Sequence, residues 1–377
     1  MTTESQSLLI TGASARAAAF SAVRAGFVPY WIDEFGDADL AESFIGVKVP
    51  PDDYPGGIPQ AARSLPAMPF LYTGAMENHL NVIDALSRDR ELLGNDSGVC
   101  RPVRDPFLLR DCLRDAGLAF ATVAMKSSGN EAGWLCKSWS SSGGLGIHFH
   151  NGNGAVPAGH YLQAFIQGRS VSAVYIGDGR GAQLAGVTRQ LVGKAAFHAA
   201  RFSYCGSIGP LPLTETEKEE WQCIGDTLAG TFGLRGLFGV DAIQRDEGIT
   251  PLEVNPRYTA SVEVVEAGTG LALIGCHVEA CRGRLRMSES KNNGLHGKCY
   301  LFAPRRLHVT GDLRAAPMPC ELDSVTLADV PVPGTVIESG APILSLHTSG
   351  RDQLDCLQRL SGKAAAIIEK LQVISHK

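Results

Sequence analysis

Between Gly239 and Arg257 the chain reads GVDAIQRDEGITPLEVNPR, two β-leaning runs around Asp246-Glu247-Gly248. A centre of that composition turns a chain back on itself. If the hairpin folds about Glu247, Asp241 lies directly opposite Glu253, and Asn255 shares the face of Glu253. Like charges facing each other across a ladder are destabilising unless a cation neutralises them. Two carboxylates and an amide oxygen on one face form a hard oxygen site suited to Mg²⁺, an ion that commonly brings phosphate oxygens into its shell. Arg257, one alternation further on, adds a cation on the same face to hold those phosphates. The plain alternative is a surface hairpin with solvated charges. Leu252, Val254 and Pro256 argue instead for a face packed on a core.

A phosphate site needs more than one wall. About a hundred residues upstream, Lys137 ends a strand-like run and is followed by Ser140-Ser141-Ser142-Gly143-Gly144-Leu145-Gly146. A glycine-serine loop can present successive backbone N–H groups to phosphate oxygens, while the lysine adds a point charge. The order differs from the P-loop, in which lysine follows the loop and opens a helix. Such loops also serve as surface connectors; paired with the hairpin, this one reads as the second half of a nucleotide site.

The chain has 377 residues, 44% of them apolar and 19% charged, enough for two to three domains with their own cores. Thirty-four basic residues against 39 acidic ones give a formal net charge of −5, so no whole-protein field draws nucleic acid or anionic lipid. The ten cysteines include no Cys-x-x-Cys pair, and the cluster Cys276, His277 and Cys281, in an apolar stretch, reads as buried free thiols. No basic-then-apolar leader opens the chain, and no apolar run reaches the ~20 residues of a membrane helix. A cytoplasmic, reduced protein is expected.

Strand and helix signals alternate over the first hundred residues: strands at Ser7–Thr11, Phe27–Ile32 and Ala67–Tyr72, with an Ala-rich helix at Ala15–Ala25. That order implies βαβ units and a parallel sheet, with function at the strand carboxyl ends. Those ends carry Thr11-Gly-Ala-Ser14, Asp33-Glu34 and Thr73-Gly-Ala-Met-Glu77-Asn-His79. The first could suggest a nicotinamide enzyme, but the further glycines of the dinucleotide fingerprint are replaced by Arg16, Ala17 and Ala18. Downstream come a helix at Asp105–Ala116, strands at Gly133–Ser138, His160–Ile166, Ser170–Ile176 and Gln183–Arg189, and a helix at Thr214–Phe232 with an acidic start. Beyond Asn292 lie β-leaning runs and a closing helix at about Asp352–Leu371.

The ordered series Lys137, SSSGGLG, Gln163-Ala-Phe-Ile-Gln-Gly168, Gly239-Val-Asp241 and Leu252-Glu-Val-Asn-Pro-Arg257 resembles the ATP-grasp enzymes, in their carboxylate–amine ligase branch. The resemblance covers about residues 5 to 290. It implies a mixed α/β and α+β chain with the ATP-grasp fold: a Rossmann-like pre-ATP-grasp domain (1–100), an ATP-grasp domain (101–291, lid about 120–165) and a small β-rich C-terminal domain with a closing helix (292–377). It implies ATP and Mg²⁺, with Mn²⁺ able to replace the latter. Lys137 would contact the α- and β-phosphates, and Ser141, Ser142, Gly143 and Gly144 would close over them. Gln163 to Gln167 would be the hinge, with the backbone at Phe165 and Ile166 reading adenine. Asp241, Glu253 and Asn255 would hold the metal, and Arg257, assisted by Arg189, would stabilise the transferring phosphoryl group. Two positions depart from the family pattern: Arg101 to Arg104 stand where many members have a lysine, and Gln167 and Ser170 where many have an acid for the ribose.

Narrower segments, Tyr72 to His79, Val103 to Pro106, Leu327 to Thr335 and Gly340 to Ile343, look like an ATP-grasp family of methylotroph one-carbon metabolism that uses tetrahydromethanopterin and methylofuran. Residues 296–377 are also similar to the lobe that follows the ATP domain in biotin carboxylases. The implied reaction joins L-glutamate to tyramine or a related amine in methylofuran assembly, through an acyl phosphate, releasing ADP and phosphate. Glu77 and His79 would bind the amine or accept its proton. The implied partners are small-molecule acids and amines, with neither nucleic acid nor membrane, and the homodimer is a common assembly among such enzymes. A different amino-acid or dipeptide ligase of the same fold, and a non-catalytic ATP-binding sensor, stay open on the residues alone.

Overall fold

The computed structural model describes residues 6–126, 133–152, 155–315 and 324–374. Cys320 lies outside them, and the other nine cysteines are free thiols. The chain opens with β1 (Ser7–Gly12), α1 (Arg16–Arg24), β2 (Val28–Asp33), α2 (Ala38–Ala41), β3 (Gly46–Lys48), α3 (Ile58–Ala62), β4 (Phe70–Tyr72) and α4 (Leu80–Leu86). Its strands form a parallel sheet in the order β3-β2-β1-β4, as the alternation of signals predicts. Short α5 (Ser97–Val103) leads to α6 (Pro106–Asp115), whose N-cap Asp105 accepts from the amides of Phe107 and Leu108. Pro106 costs nothing there, because a first-turn N–H has no helical partner to lose.

A small antiparallel sheet follows, in the order β5-β8-β6-β7, made of β5 (Val123–Ala124), β6 (Trp134–Ser138), β7 (His148–Phe149) and β8 (His160–Ala164). Next come β9 (Arg169–Asp178), β10 (Ala182–Val192), β11 (Tyr204–Gly209), α7 (Glu215–Phe232), β12 (Arg235–Arg245), β13 (Gly248–Asn255), α8 (Ser261–Thr269) and α9 (Leu273–Cys281). The final stretch carries β14 (Leu295–Phe302), β15 (Leu307–His308), β16 (Thr326–Ala328), β17 (Val336–Ile337), β18 (Pro342–Gly350) and α10 (Gln353–Ile374). One eight-stranded sheet runs β13-β12-β9-β10-β11-β14-β18-β16, so the C-terminal strands extend the sheet that bears the carboxylate hairpin.

The centre of that sheet is covered on both faces. In β9, Val171, Ala173 and Tyr175 join the cluster around Trp221, Ile224 and Leu228 of α7. Val174 and Ile176 point the other way, to Val262, Val265 and Ile274 of α8 and α9. Each fully buried Leu or Ile of this kind adds about 1.5–3 kcal/mol over an exposed one. The start of α7 is a capping box between Thr214 and Glu217. His277 accepts from the Leu237 amide at Nδ1 (2.7 Å) and donates from Nε2 to the Leu93 carbonyl (3.0 Å), while burial pushes its pKa down to about 4. It is a neutral tie between the segment that follows α4 and the eight-stranded sheet. Among the described residues, no group of three or more His, Cys, Asp or Glu is arranged to hold a metal, and no single helix is long and apolar enough to cross a membrane.

Candidate active site

The strands β12 and β13 form the expected hairpin, with a refinement. Arg245 pairs with Gly248, so the turn is Asp246-Glu247, and a bulge at Leu252 then brings Asp241 opposite Glu253 and Gly239 opposite Asn255. The even residues Phe238, Val240 and Ala242 pack toward α7, which leaves Asp241 on the opposite, cleft-facing side. There a cleft of about 430 Å³ is walled by the hairpin, the β6–β7 loop, the carboxyl ends of β1 and β4, and the faces of β10, β11 and β14.

Lys137, 4% exposed, donates to Glu253 Oε2 (2.7 Å) and Gln163 Oε1 (3.2 Å), and Gln163 in turn donates to the Leu252 carbonyl (3.0 Å). Burial acts to lower the pKa of this ammonium, but the charge and hydrogen bond of Glu253 together with the charges of Tyr161 and Asp241 outweigh it, and the pKa is raised. The Glu253 carboxyl is held below its ordinary value, chiefly by Lys137. Asp241 is pushed up, by burial first and by the Glu253 charge next, although Ser172 and Gln190 hydrogen-bond to it. Asn255 Nδ2 donates to Asp241 Oδ2 (3.2 Å), and Asn255 Oδ1 accepts from Arg257 (3.3 Å). Arg257 Nε is held by Glu77 Oε1 at 2.8 Å. Two close carboxylates, one of them raised by the other's charge, form a donor set that a divalent cation would relieve.

Ser141, Ser142, Gly143 and Gly144 line the same cleft. Their loop rests on β11, where the Tyr204 amide donates to the Gly143 carbonyl (2.9 Å). Gly144 has φ +77°, and a Cβ there would come within 2.0 Å of the Phe202 carbonyl oxygen, so only glycine lets the loop lie this close. Phe149 packs edge-on against both Phe165 and Phe202. Phe165 and Ile166 line the cleft, whereas Gln167 is exposed and is not among its lining residues. Arg104 faces an adjoining small pocket with Glu253 and Asn255, and donates to the Glu77 carbonyl at 3.0 Å.

Besides Gln167, three expected residues are placed otherwise. Arg189 does not face the cleft: it pairs with the buried Val171 of β9 and bonds Gln353 of α10 at 3.3 Å, because the alternation of β10 turns Thr188 and Gln190 inward. Glu77 is 2% exposed and reaches the site only through Arg257. His79 lies at the start of α4, away from the cleft lining.

Reading the sequence missed Ser172, Gln190, Tyr204, Lys298 and Tyr300, all of which line the cleft. Cross-strand pairs link Glu253, Asp241, Ser172 and Thr188 in one row; two residues along β10, a second row links Gln190, Ser207, Lys298 and His347. No local pattern announces these rows, since they depend on the order of six separate strands after β13.

The family described as ATP-grasp domain matches residues 103–261. Among solved structures, the chain is similar to biotin carboxylase from Campylobacter jejuni in a complex with β,γ-ATP (15% identity, TM-score 0.69, 94% of this chain and 90% of that one). It is likewise similar to N5-carboxyaminoimidazole ribonucleotide synthetase from Thermotoga maritima (12%, 0.66, 96% and 98%). The biotin carboxylase domain of Hydrogenobacter thermophilus 2-oxoglutarate carboxylase, bound to MgADP and bicarbonate, is a third such structure (15%, 0.70, 94% and 88%). A search of the curated proteins finds no match. The chain has the ATP-grasp fold.

Proposed function

We propose that the protein is an ATP-dependent carbon–nitrogen ligase that forms an amide through an acyl phosphate and releases ADP and phosphate. The observation that carries this reading is the convergence of Lys137, Asp241, Glu253, Asn255, Arg257 and the glycine-rich loop on one cleft. The finer proposal is that it joins L-glutamate to tyramine or a related amine in methylofuran-type cofactor assembly, and it rests on the sequence resemblance. On the same reading the chain divides into residues 1–100, 101–291 with a lid at about 120–165, and 292–377.

A carboxylate oxygen of the acid attacks the γ-phosphorus of ATP, the bond to the bridging β–γ oxygen breaks, and ADP leaves. The amine nitrogen then attacks the acyl carbon. The carbon–oxygen bond to phosphate breaks, the amide nitrogen keeps one of the two amine protons and the other leaves with the phosphate. Asp241, Glu253 and Asn255 are the residues that would hold Mg²⁺, which when bound supplies charge neutralisation to phosphate oxygens. Lys137 offers its ammonium to the phosphates without needing to reorganise, because Glu253 and Gln163 already hold it. Arg257, oriented by Glu77 and Asn255, is aimed where charge develops on the transferring phosphoryl group. The loop at 140–146 and the Phe149–Phe202 contact exclude water from a hydrolysable intermediate.

Mass spectrometry of a reaction with Mg-ATP, L-glutamate and tyramine tests the reading. A species at the summed mass less water, with matching ADP, supports it; ADP with a different condensed mass keeps the ligase and replaces the substrates. Glu253→Gln should abolish ADP formation while circular dichroism stays unchanged, and turnover retained in that variant would remove the metal-ligand role.

A further inference from the structure

Among the described residues, the cations that line the cleft are Lys137, Arg257 and Lys298, and the carboxylates are Asp241 and Glu253. Arg257 is paired by Glu77 (2.8 Å) and Lys298 by Glu263 (2.7 Å), and neither Glu77 nor Glu263 lines the cleft. Those two cations are balanced from behind the wall. Lys137 differs, because its partner at 2.7 Å is Glu253, a carboxylate of the cleft itself and an expected metal ligand. The pair also joins two sheets, with Lys137 on β6 of the small one and Glu253 on β13 of the large one.

The two facing carboxylates are thus treated unequally. Glu253 has a full counter-charge, whereas Asp241 accepts from neutral donors, Ser172, Gln190 and Asn255 Nδ2 at 3.2 Å. Two carboxylates and one ammonium present a net charge of −1 to a bare cation, where the carboxylates alone would present −2. Lys137 is fixed in this place: it is 4% exposed, and Gln163 Oε1 accepts from it at 3.2 Å. Glu253 keeps 42% of its side-chain surface exposed and spends Oε2 on the lysine, so its carboxylate is still presented to a ligand. Phosphate oxygens change this balance, because their negative charge can lie against the ammonium and a metal together.

We propose that Lys137 is the resident counter-charge of Glu253, which keeps the site weak for a bare divalent cation and reserves it for a cation that arrives with nucleotide phosphates. The inference rests on the ligase reading and deepens it by naming how metal and nucleotide binding are coupled. The lysine acts through charge and needs no movement. Each ligand then tightens the other by the same factor, as linkage requires.

Binding measurements on the full chain test it without reading turnover. Mn²⁺ alone is titrated into wild type, Lys137→Met and Lys137→Arg, with free Mn²⁺ read by electron paramagnetic resonance; ADP is then titrated by calorimetry at saturating Mn²⁺. Lys137→Met keeps an unbranched stem and deletes the charge. It should bind Mn²⁺ alone roughly five- to twentyfold more tightly than wild type, and ADP roughly tenfold or more weakly. Lys137→Arg keeps the charge and should stay within about threefold of wild type for Mn²⁺ alone. The opposed signs separate a counter-charge from a structural role, which would weaken both ligands together. Lys137→Gln carries the same expectation if Lys137→Met does not fold. Mn²⁺ alone bound no more tightly without the charge, tightened as much in Lys137→Arg, or bound by wild type as tightly without ADP as with it, overturns the inference alone. Wild-type protein that binds no ADP at saturating Mn²⁺ overturns the ligase reading and the inference with it.

Discussion

Arg189 and Gln190 are adjacent in the chain and occupy opposite faces of one strand, and only the second reaches the cleft. The phase of β10 is set by its pairing with β9, which includes a register shift between Leu184 and Gly186 that no local pattern reveals. By contrast, Asp241 and Glu253 were legible as a facing pair because a hairpin brings them together within a few residues of one turn. Even there the route differs: the turn centre and the bulge at Leu252 offset each other to give the expected register. Gln190→Ala should lower turnover about ten- to a hundredfold, since it removes a hydrogen bond to the charged Asp241, whereas Arg189→Ala should stay within about threefold. Steady-state ADP release measures both; equal losses would place Arg189 in the chemistry after all.

Among the elements, the loop between β6 and β7 owes its position to backbone rather than side chains. Its glycines were visible in sequence as a phosphate-type loop, but not its docking on β11, because the contact partner Phe202 is some sixty residues away. Gly144→Ala would put a Cβ into the Phe202 carbonyl and force a left-handed φ on alanine, so the loop must lift. The expected outcome is uncoupling: ADP formed in excess of condensed product, because the acyl phosphate meets water. Quantifying ADP and product in one reaction checks it, and a one-to-one ratio would mean the loop is not the water barrier. The helices α6 and α7 were readable from Pro106 and Gly117 at the two ends of the first and from the acidic start of the second, since such signals act within one turn. The short helices α2 to α5 carry weaker signals and went unseen.

For the whole molecule, the junction of the three segments concentrates charge and should make stability depend on pH. The Asp37 carboxyl, 6% exposed, is pushed up to about 8, by burial first and then by the charges of Asp329, Asp33 and Asp39. Asp33 is pushed up to about 7, again chiefly by burial. A carboxyl with a raised folded pKa holds its proton more tightly in the folded than in the unfolded state. Its stabilising contribution is complete below the unfolded pKa near 3.8 and is lost as pH rises through the folded value. Melting temperatures should therefore fall between about pH 4 and 8 more in the native chain than in Asp37→Asn; parallel curves would exclude the effect. The parallel first sheet and the hairpin could be foreseen, but the joining of β14 to β11 could not, because nothing in either strand names its neighbour. That joining means the stretch from residue 292 onward is no detachable accessory. Excising it would strip β11 of a partner and uncover Leu191, Phe197 and Ile208, leaving a sticky edge beside the cleft. A chimaera built to reshape the cleft must therefore exchange side chains within the sheet, since exchanging the segment would tear the cleft's floor.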